Sequence, residues 1–319
     1  MATSTSRWWT GLPELGPVGR QCQVEADFPS SPSNRPDVSI DAVDTDTYFI
    51  RACSVRGAAH RHRRVTRQDD YSIGQSPSGH VVLAVADGLS SSPLGHIAAT
   101  VACRSALSAV SAELSQGHSP DAIDWDDVVA RVSAAVSIEA RRIGAVNALA
   151  SDDDVAYVMA TTLILAVVDA GVTRATIASL AGDSAAFILR GRQWLRLGGK
   201  AQAEGLAESR LKSWLPTRAS PVIEIVDLVG VDALLLCSDG LAGVLDSAGR
   251  PAKTIAEWWH APPGLTEFAT QLSFLLKGVD DDRTAAVVWP ATRVRRVAES
   301  TGTSPWYRRL TQRRPTSRR

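Results

Sequence analysis

Two apolar runs far apart in the chain end in the same construction. Val81-Val82-Leu83-Ala84-Val85-Ala86 runs into Asp87-Gly88, and Leu234-Leu235-Leu236-Cys237 runs into Ser238-Asp239-Gly240. Ser179-Leu180-Ala181 likewise ends in Gly182-Asp183-Ser184, and Asp280-Asp281-Asp282 stands just before the apolar run Ala285 to Trp289. Short apolar runs bounded by turn residues are the pattern of buried strands. A single Asp-Gly after a strand is most simply a turn. If several such strand ends converge, their carboxylates meet, and ionised carboxylates a few ångströms apart repel one another unless a multivalent cation holds them. With oxygen donors and no His or Cys at ligand spacing, that cation is a hard one, Mg²⁺ or Mn²⁺ ahead of Ca²⁺. Glycine after the Asp removes a side chain and lets its own carbonyl turn toward the ion.

The rest of the chain reads as a layered α+β domain. Residues 1–46, rich in Pro, Ser, Gly and Asp, have no sustained period and read as an irregular leader, with order beginning at Thr47. Strands are expected at Tyr48 to Val55 and His80 to Ala86, followed by two helices. Ile97, Val101, Leu107, Val110 and Leu114 form one apolar stripe, and Val128, Val132, Val136 and Ile143 the other. Tyr157 to Val168, Arg174 to Leu180, Ala186 to Arg190 and Gln193 to Leu197 follow with short joints, the pattern of an antiparallel meander. Beyond a region of uncertain structure come a strand at Leu234 to Cys237, helices at Thr254 to Trp259 and Leu265 to Lys277, and a last strand at Thr284 to Trp289. Strand blocks around helix pairs exclude a parallel Rossmann arrangement. Asp152-Asp153-Asp154 reads as a solvated turn. Most of the tryptophans, Trp194 and Trp289 in strands among them, read as packing residues, whereas Trp8, Trp9 and Trp306 lie outside the domain as candidate docking anchors.

Charge and cysteine usage narrow the setting. The 34 basic and 34 acidic residues cancel, but residues 291–319 hold nine arginines and only Glu299 as an acid, so this tail is +8 and the remainder −8. Its composition is that of a disordered segment, either a plain solvated extension or a binding element for nucleic acid, an acidic partner or anionic lipid. Cys22, Cys53, Cys103 and Cys237 are scattered, which suggests neither a zinc site nor a disulfide framework and points to a reducing, cytoplasmic setting. The longest apolar stretch, Val155 to Val168, is interrupted by Thr161-Thr162 and is too short to span a bilayer, so no membrane segment is expected.

A cation beside the carboxylates would separate phosphate chemistry from a purely structural ion site, and His60-Arg61-His62-Arg63-Arg64 leads directly into Asp69. Arginine next to carboxylate-bound metals is a layout for phosphoryl transfer, because the guanidinium clamps phosphoryl oxygens that the metals polarise. A basic surface loop is the plainer alternative.

Taken in order, Arg64-x-x-x-Gln68-Asp69, Ala84-Val85-Ala86-Asp87-Gly88, Thr161-Thr162, Gly182-Asp183-Ser184, Cys237-Ser238-Asp239-Gly240 and Asp281-Asp282-x-Thr284 resemble the motifs of the bacterial-type 2C metal-dependent Ser/Thr protein phosphatases. The resemblance spans residues 47–290 and implies a four-layer α-β-β-α sandwich of two central antiparallel sheets flanked by helix pairs. It implies two Mg²⁺ or Mn²⁺ ions at one edge, with Asp87 bridging them, the Gly88 carbonyl on the first, Asp239 and Asp281 on the second, and Asp69 steadying the site. It also implies Arg64 on the substrate phosphate, and Asp183 sharing a third, weaker ion with Asp239. The implied reaction is in-line attack of a metal-bridging hydroxide on phosphoserine or phosphothreonine, in a signalling enzyme whose partners are phosphorylated proteins and a cognate Ser/Thr kinase.

The sequence departs from the family pattern in several places. Asp87-Gly88-Leu89-Ser90-Ser91 has serines where the family has glycines, and Leu89 where eukaryotic members have a His. His96 is a weak substitute as a proton donor. Arg67 and Asp282 stand where Asn is usual, and Asp282 adds negative charge beside the site. The Gly198 to Ser220 segment, in the position of a substrate-facing flap, lacks the usual Asp-His-Ser. These departures keep open a second reading, a pseudophosphatase that binds phosphoproteins without turnover.

Overall fold

The computed structural model describes residues 11–19, 35–198, 213–217, 219 and 221–291. Its centre is two antiparallel sheets packed face to face. One sheet has six strands in the order β1 (Val38–Asp44), β2 (Tyr48–Val55), β11 (Arg283–Pro290), β10 (Ala233–Cys237), β7 (Ala185–Arg190) and β8 (Gln193–Arg196). The other has five, in the order β3 (Asp70–Gln75), β4 (Val81–Ala86), β5 (Leu163–Val168), β6 (Arg174–Ala181) and β9 (Val222–Asp227).

The apolar runs are continuous because both faces of the inner strands are covered. In β4, Val81, Leu83 and Val85 pack between the sheets against Ile164, Ala166 and Leu236. Val82, Ala84 and Ala86 face the other way, onto α2 (Gly95–Ser115) and α3 (Trp125–Arg142). The opposite outer layer is α5 (Asp239–Asp246), α6 (Arg250–Trp259) and α7 (Leu265–Leu272), held to the six-stranded sheet by an aromatic chain. Phe187, Trp194, Trp259, Phe268 and Trp289 stack in succession with ring centroids 4.8–6.4 Å apart. The indole N–H groups of Trp259 and Trp289 donate to Gln271 Oε1 at 2.9 Å and Trp259 O at 2.7 Å, so the buried polar tips are satisfied. The four layers follow the expected sandwich, with three short helices among the described residues in place of a pair on this side.

Several sequence expectations need correction. The leader holds a strand: β1 pairs along its length with β2, from Val38 opposite Val55 to Asp44 opposite Phe49. As an edge strand with no buried residue, it carries too weak an apolar signal to be read from sequence. The meander is two hairpins in different sheets, β5–β6 and β7–β8, with the crossing at Gly182-Asp183-Ser184. Tyr157 belongs to α4 (Asp152–Val158), and the Asp152-Asp153-Asp154 run is its first turn. Ser151 caps that turn in a capping box with Asp154, where negative charge favours a helix start. The structure adds strands β3 and β9 and helix α5 to the expected elements, and the helix expected to reach Lys277 ends at Leu272.

By length and composition α2 could cross a bilayer, with a mean hydropathy of 1.3 in its most apolar window. Its buried alanines, Ala98, Ala99, Ala102 and Ala106, pack instead on the five-stranded sheet, as a core helix requires. The basic tail and most of the Gly198 to Ser220 segment lie outside the described residues, as do Trp8, Trp9 and Trp306.

Candidate active site

Strand register brings the acidic ends to one edge. Asp70 lies opposite Ala86, which puts Asp69 beside Asp87. Cys237 lies opposite both Ala285 and Ala185, which puts Asp239 near the Asp281-Asp282 turn and the Asp183 crossing. Two glycines permit the approach. A Cβ on Gly88 would stand 2.4 Å from the Gly95 carbonyl carbon, and one on Gly240 would stand 2.1 Å from Asp282 O. Both places exclude any side chain.

The carboxylates act on one another. Burial, the charge of Asp282 and incomplete compensation by Ser238, Asp87 and Thr284 push the Asp69 carboxyl up to about 7. Burial and the charges of Asp69 and Asp239 raise Asp87 well above the carboxylate range. Partial burial and the charges of Asp183 and Asp281 raise Asp239. Asp69 is 1% exposed, and its Oδ2 has no hydrogen-bond partner. An orphaned, buried carboxylate oxygen among mutually repelling carboxyls is the donor set a hard divalent cation neutralises, so Mg²⁺ or Mn²⁺ fits these residues.

The backbone around the carboxylates is fixed by short bonds. Asp87 N–H donates to Thr162 Oγ1 at 2.9 Å, and Asp87 O accepts from Thr162 N–H at 2.8 Å and Thr161 Oγ1 at 2.9 Å. Arg67 Nη1 donates to Asp69 O and to Ser54 Oγ, both at 2.6 Å. Arg35 donates to the same Asp69 carbonyl, to Asp70 Oδ2 at 3.0 Å, and to His96 O at 2.5 Å. Two guanidinia therefore hold the Asp69 peptide from opposite segments of the chain.

Asp282 does not sit as a bare extra charge. It is 1% exposed, and its oxygens accept from Gly57 N–H at 2.6 Å and Gln68 N–H at 2.5 Å. His60 Nδ1 lies 2.8 Å from its Oδ1. Burial alone would raise Asp282, but His60 and the two backbone donors outweigh it and hold the carboxyl below its usual range. Sequence spacing placed no histidine near the carboxylates, because His60 reaches them through α1 (Ala58–His62), whose start is tied to the Asp280–Asp282 turn.

Arg64 lies on the exposed stretch after α1 at φ 58°, its N–H donating to Arg61 O at 3.2 Å. Burial and the Arg35 charge pull His96 down to about 4, so its imidazole is neutral and its standing as a proton donor is poor. A groove of about 450 Å³ opens beside the carboxylates, lined by Asp239, Gly240, Val244, Asp280 and Asp281 among others.

The match of a family model agrees with this arrangement. The protein phosphatase 2C model covers residues 56–277, more than half of the chain, so the chain belongs to the protein phosphatase 2C family. The match ends just before Asp281 and leaves β1, β2 and β11 outside. The fold is shared with a bacterial serine phosphatase (TM-score 0.51, 17% identity, 79% of this chain and 98% of the other). It is also shared with the serine/threonine phosphatase Stp1 from Staphylococcus aureus (TM-score 0.52, 18% identity, 82% and 98%). A search of curated proteins finds no match.

Proposed function

We propose that this phosphatase-family chain is a Mg²⁺- or Mn²⁺-dependent enzyme that hydrolyses phosphoserine and phosphothreonine in proteins. The observation that carries the reading is the convergence of Asp69, Asp87 and Asp239, each raised by burial and by neighbouring carboxylates, with Asp69 Oδ2 left without a hydrogen-bond partner. When bound, the ions neutralise phosphoryl oxygens and lower the pKa of the attacking water. In this reading Asp87, the Gly88 carbonyl, Asp239 and Asp281 hold the ions, and Asp183 contributes to a third beside Asp239. Asp69 steadies them from below. Arg64 reaches the substrate phosphate from the stretch that leads to Asp69, and the groove beside Asp239 takes the flanking peptide. Leu89 carries no proton and His96 is held neutral, so protonation of the departing Ser or Thr oxygen falls to water. A cytoplasmic setting and a Ser/Thr kinase that generates the substrates belong to the same proposal.

Phosphate release from a phosphothreonine peptide, titrated with Mn²⁺, tests it. Turnover that rises with Mn²⁺ and disappears with chelator is the expected result. Peptide binding without turnover at any Mn²⁺ concentration replaces the reading with that of a phosphoprotein-binding module.

A further inference from the structure

The all-oxygen donor set inferred from sequence omits one nitrogen. His60 is 2% exposed, on a five-residue helix whose backbone is fastened to the acidic turn: Gly57 N–H donates to Asp282 Oδ1 at 2.6 Å and Ala59 N–H to Asp280 O at 2.7 Å. The ring's two nitrogens face two different carboxylates. Nδ1 lies 2.8 Å from Asp282 Oδ1, and Nε2 lies 3.5 Å from Asp281 Oδ1. The two carboxylates differ in what they have left to offer. Asp282 is buried, with both oxygens engaged by backbone N–H groups, whereas the Asp281 side chain is 47% exposed, borders the groove and accepts only at Oδ1, from Asp282 N–H at 2.9 Å.

We propose that His60 Nε2 and Asp281 form an imidazole–carboxylate ligand pair for a divalent transition-metal ion, with Asp282 orienting the imidazole and taking no metal itself. A neutral imidazole that keeps its proton on Nδ1, the nitrogen nearer Asp282, presents its Nε2 lone pair on the Asp281 side. Ligand atoms each about 2.1 Å from one ion stand roughly 3.0–3.4 Å apart, depending on the coordination angle. The 3.5 Å separation therefore closes on an ion with a sub-ångström movement. A second pointer to a cation lies in the buried His60 ring itself, whose Nδ1 has no aligned hydrogen-bond partner, within a group of His60, Asp281 and Asp282 whose ligand atoms lie within 4.8 Å of one another. Imidazole nitrogen suits Mn²⁺ and Zn²⁺ better than Mg²⁺, which demands oxygen ligands. The consequence is a centre that prefers Mn²⁺ over Mg²⁺ by more than an all-carboxylate site would.

The inference rests on the proposed function only in that Asp281 is a ligand, and its test reads the metal rather than turnover. Electron spin-echo spectra of the full-length protein with less than one equivalent of Mn²⁺ are expected to show ¹⁴N modulation from a bound imidazole, absent in His60→Gln. Mn²⁺ affinity measured by calorimetry is expected to fall about tenfold or more in His60→Gln, with Mg²⁺ affinity changed by less than about threefold. Asp282→Asn, which keeps an acceptor at Oδ1, is expected to retain the modulation. Bound Mn²⁺ without ¹⁴N modulation in the wild type overturns the inference while leaving the phosphatase reading intact, and that spectrum decides even if the variant fails to fold. Modulation that survives in His60→Gln also overturns it. Failure of the wild type to bind Mn²⁺ at all overturns both.

Discussion

Asp87 and Thr162 exchange two hydrogen bonds, Asp87 N–H to Thr162 Oγ1 at 2.9 Å and Thr162 N–H to Asp87 O at 2.8 Å. The pair spans 75 residues of sequence and locks the end of β4 to the start of β5, so the Asp87 backbone cannot turn independently of the sheet. Thr162 Oγ1 also lies 2.8 Å from Ser184 Oγ, next to Asp183 at the crossing between sheets. Thr162→Val keeps the shape and removes the acceptor, leaving the Asp87 N–H unpaired. The expected cost is about 1–3 kcal/mol of stability, with weakened Mn²⁺ binding. Chemical denaturation and calorimetry check both.

Gly240 and Gly243 lie on the same helix and should respond oppositely to alanine. A Cβ at Gly240 meets Asp282 O at 2.1 Å, whereas one at Gly243 meets nothing within 4 Å. Gly243→Ala is expected to stabilise the protein by about 0.5–1 kcal/mol through helix propensity. Gly240→Ala should destabilise it and move Asp239 away from the Asp281-Asp282 turn. Opposite shifts in Tm are the signature; equal shifts would contradict the close approach.

The carboxyl cluster gives the metal-free protein an unusual pH profile. Asp69, at about 7, and Asp87, also raised well above the ordinary carboxylate value, bind protons in the folded state that they release when unfolded near pH 4. Folding thus takes up protons between about pH 4 and 7, and stability falls as pH rises through that window. His60, also raised above its ordinary value through the Asp282 bond despite its burial, acts in the same direction. Asp282, held low, loses its contribution only below its ordinary range, outside the window. The metal-free Tm is expected to be higher at pH 5 than at pH 8, and saturating Mn²⁺ should flatten or reverse the trend. Scanning calorimetry with and without chelator reads it directly.

Arg35 precedes the family match, yet it grips the Asp69 carbonyl, Asp70 and the first turn of α2. Arg35→Ala removes a largely buried charge-assisted set and should cost roughly 3 kcal/mol. Arg35→Lys cannot reproduce the planar fork and should recover only part of the loss. A neutral Arg35→Ala would mean that Arg67 alone suffices to hold the Asp69 peptide.

What the sequence could reveal followed from covalent neighbourhood. Strands covered on both faces, such as β4 and β10, left unbroken apolar runs, and the Asp-Gly ends marked where they stop. The layered fold and the acidic edge were therefore legible. Edge strand β1 was not, because neither of its faces is buried, and β9 runs Val-Ile-Glu-Ile-Val-Asp without apolar–polar alternation. The β5–β8 segment was misread as one meander because hairpin spacing is the same whether or not the chain changes sheets at Asp183. His60 and Arg35 were missed for a different reason. Each meets its partners across the fold, His60 through a short helix docked on residues 280–282 and Arg35 across α2, and no local period records such contacts.

In the proposed function the converged carboxylates would hold the ions on which phosphoester hydrolysis depends. Phosphate release from a phosphothreonine peptide by wild type and Asp239→Asn, with and without Mn²⁺, tests it most directly. Asp239 borders the groove, and its replacement by Asn relieves repulsion, so the variant should fold at least as well as the wild type. The account predicts Mn²⁺-dependent release by the wild type, reduced at least about 100-fold in the variant. Release that is independent of Mn²⁺, or unchanged in Asp239→Asn, would contradict it.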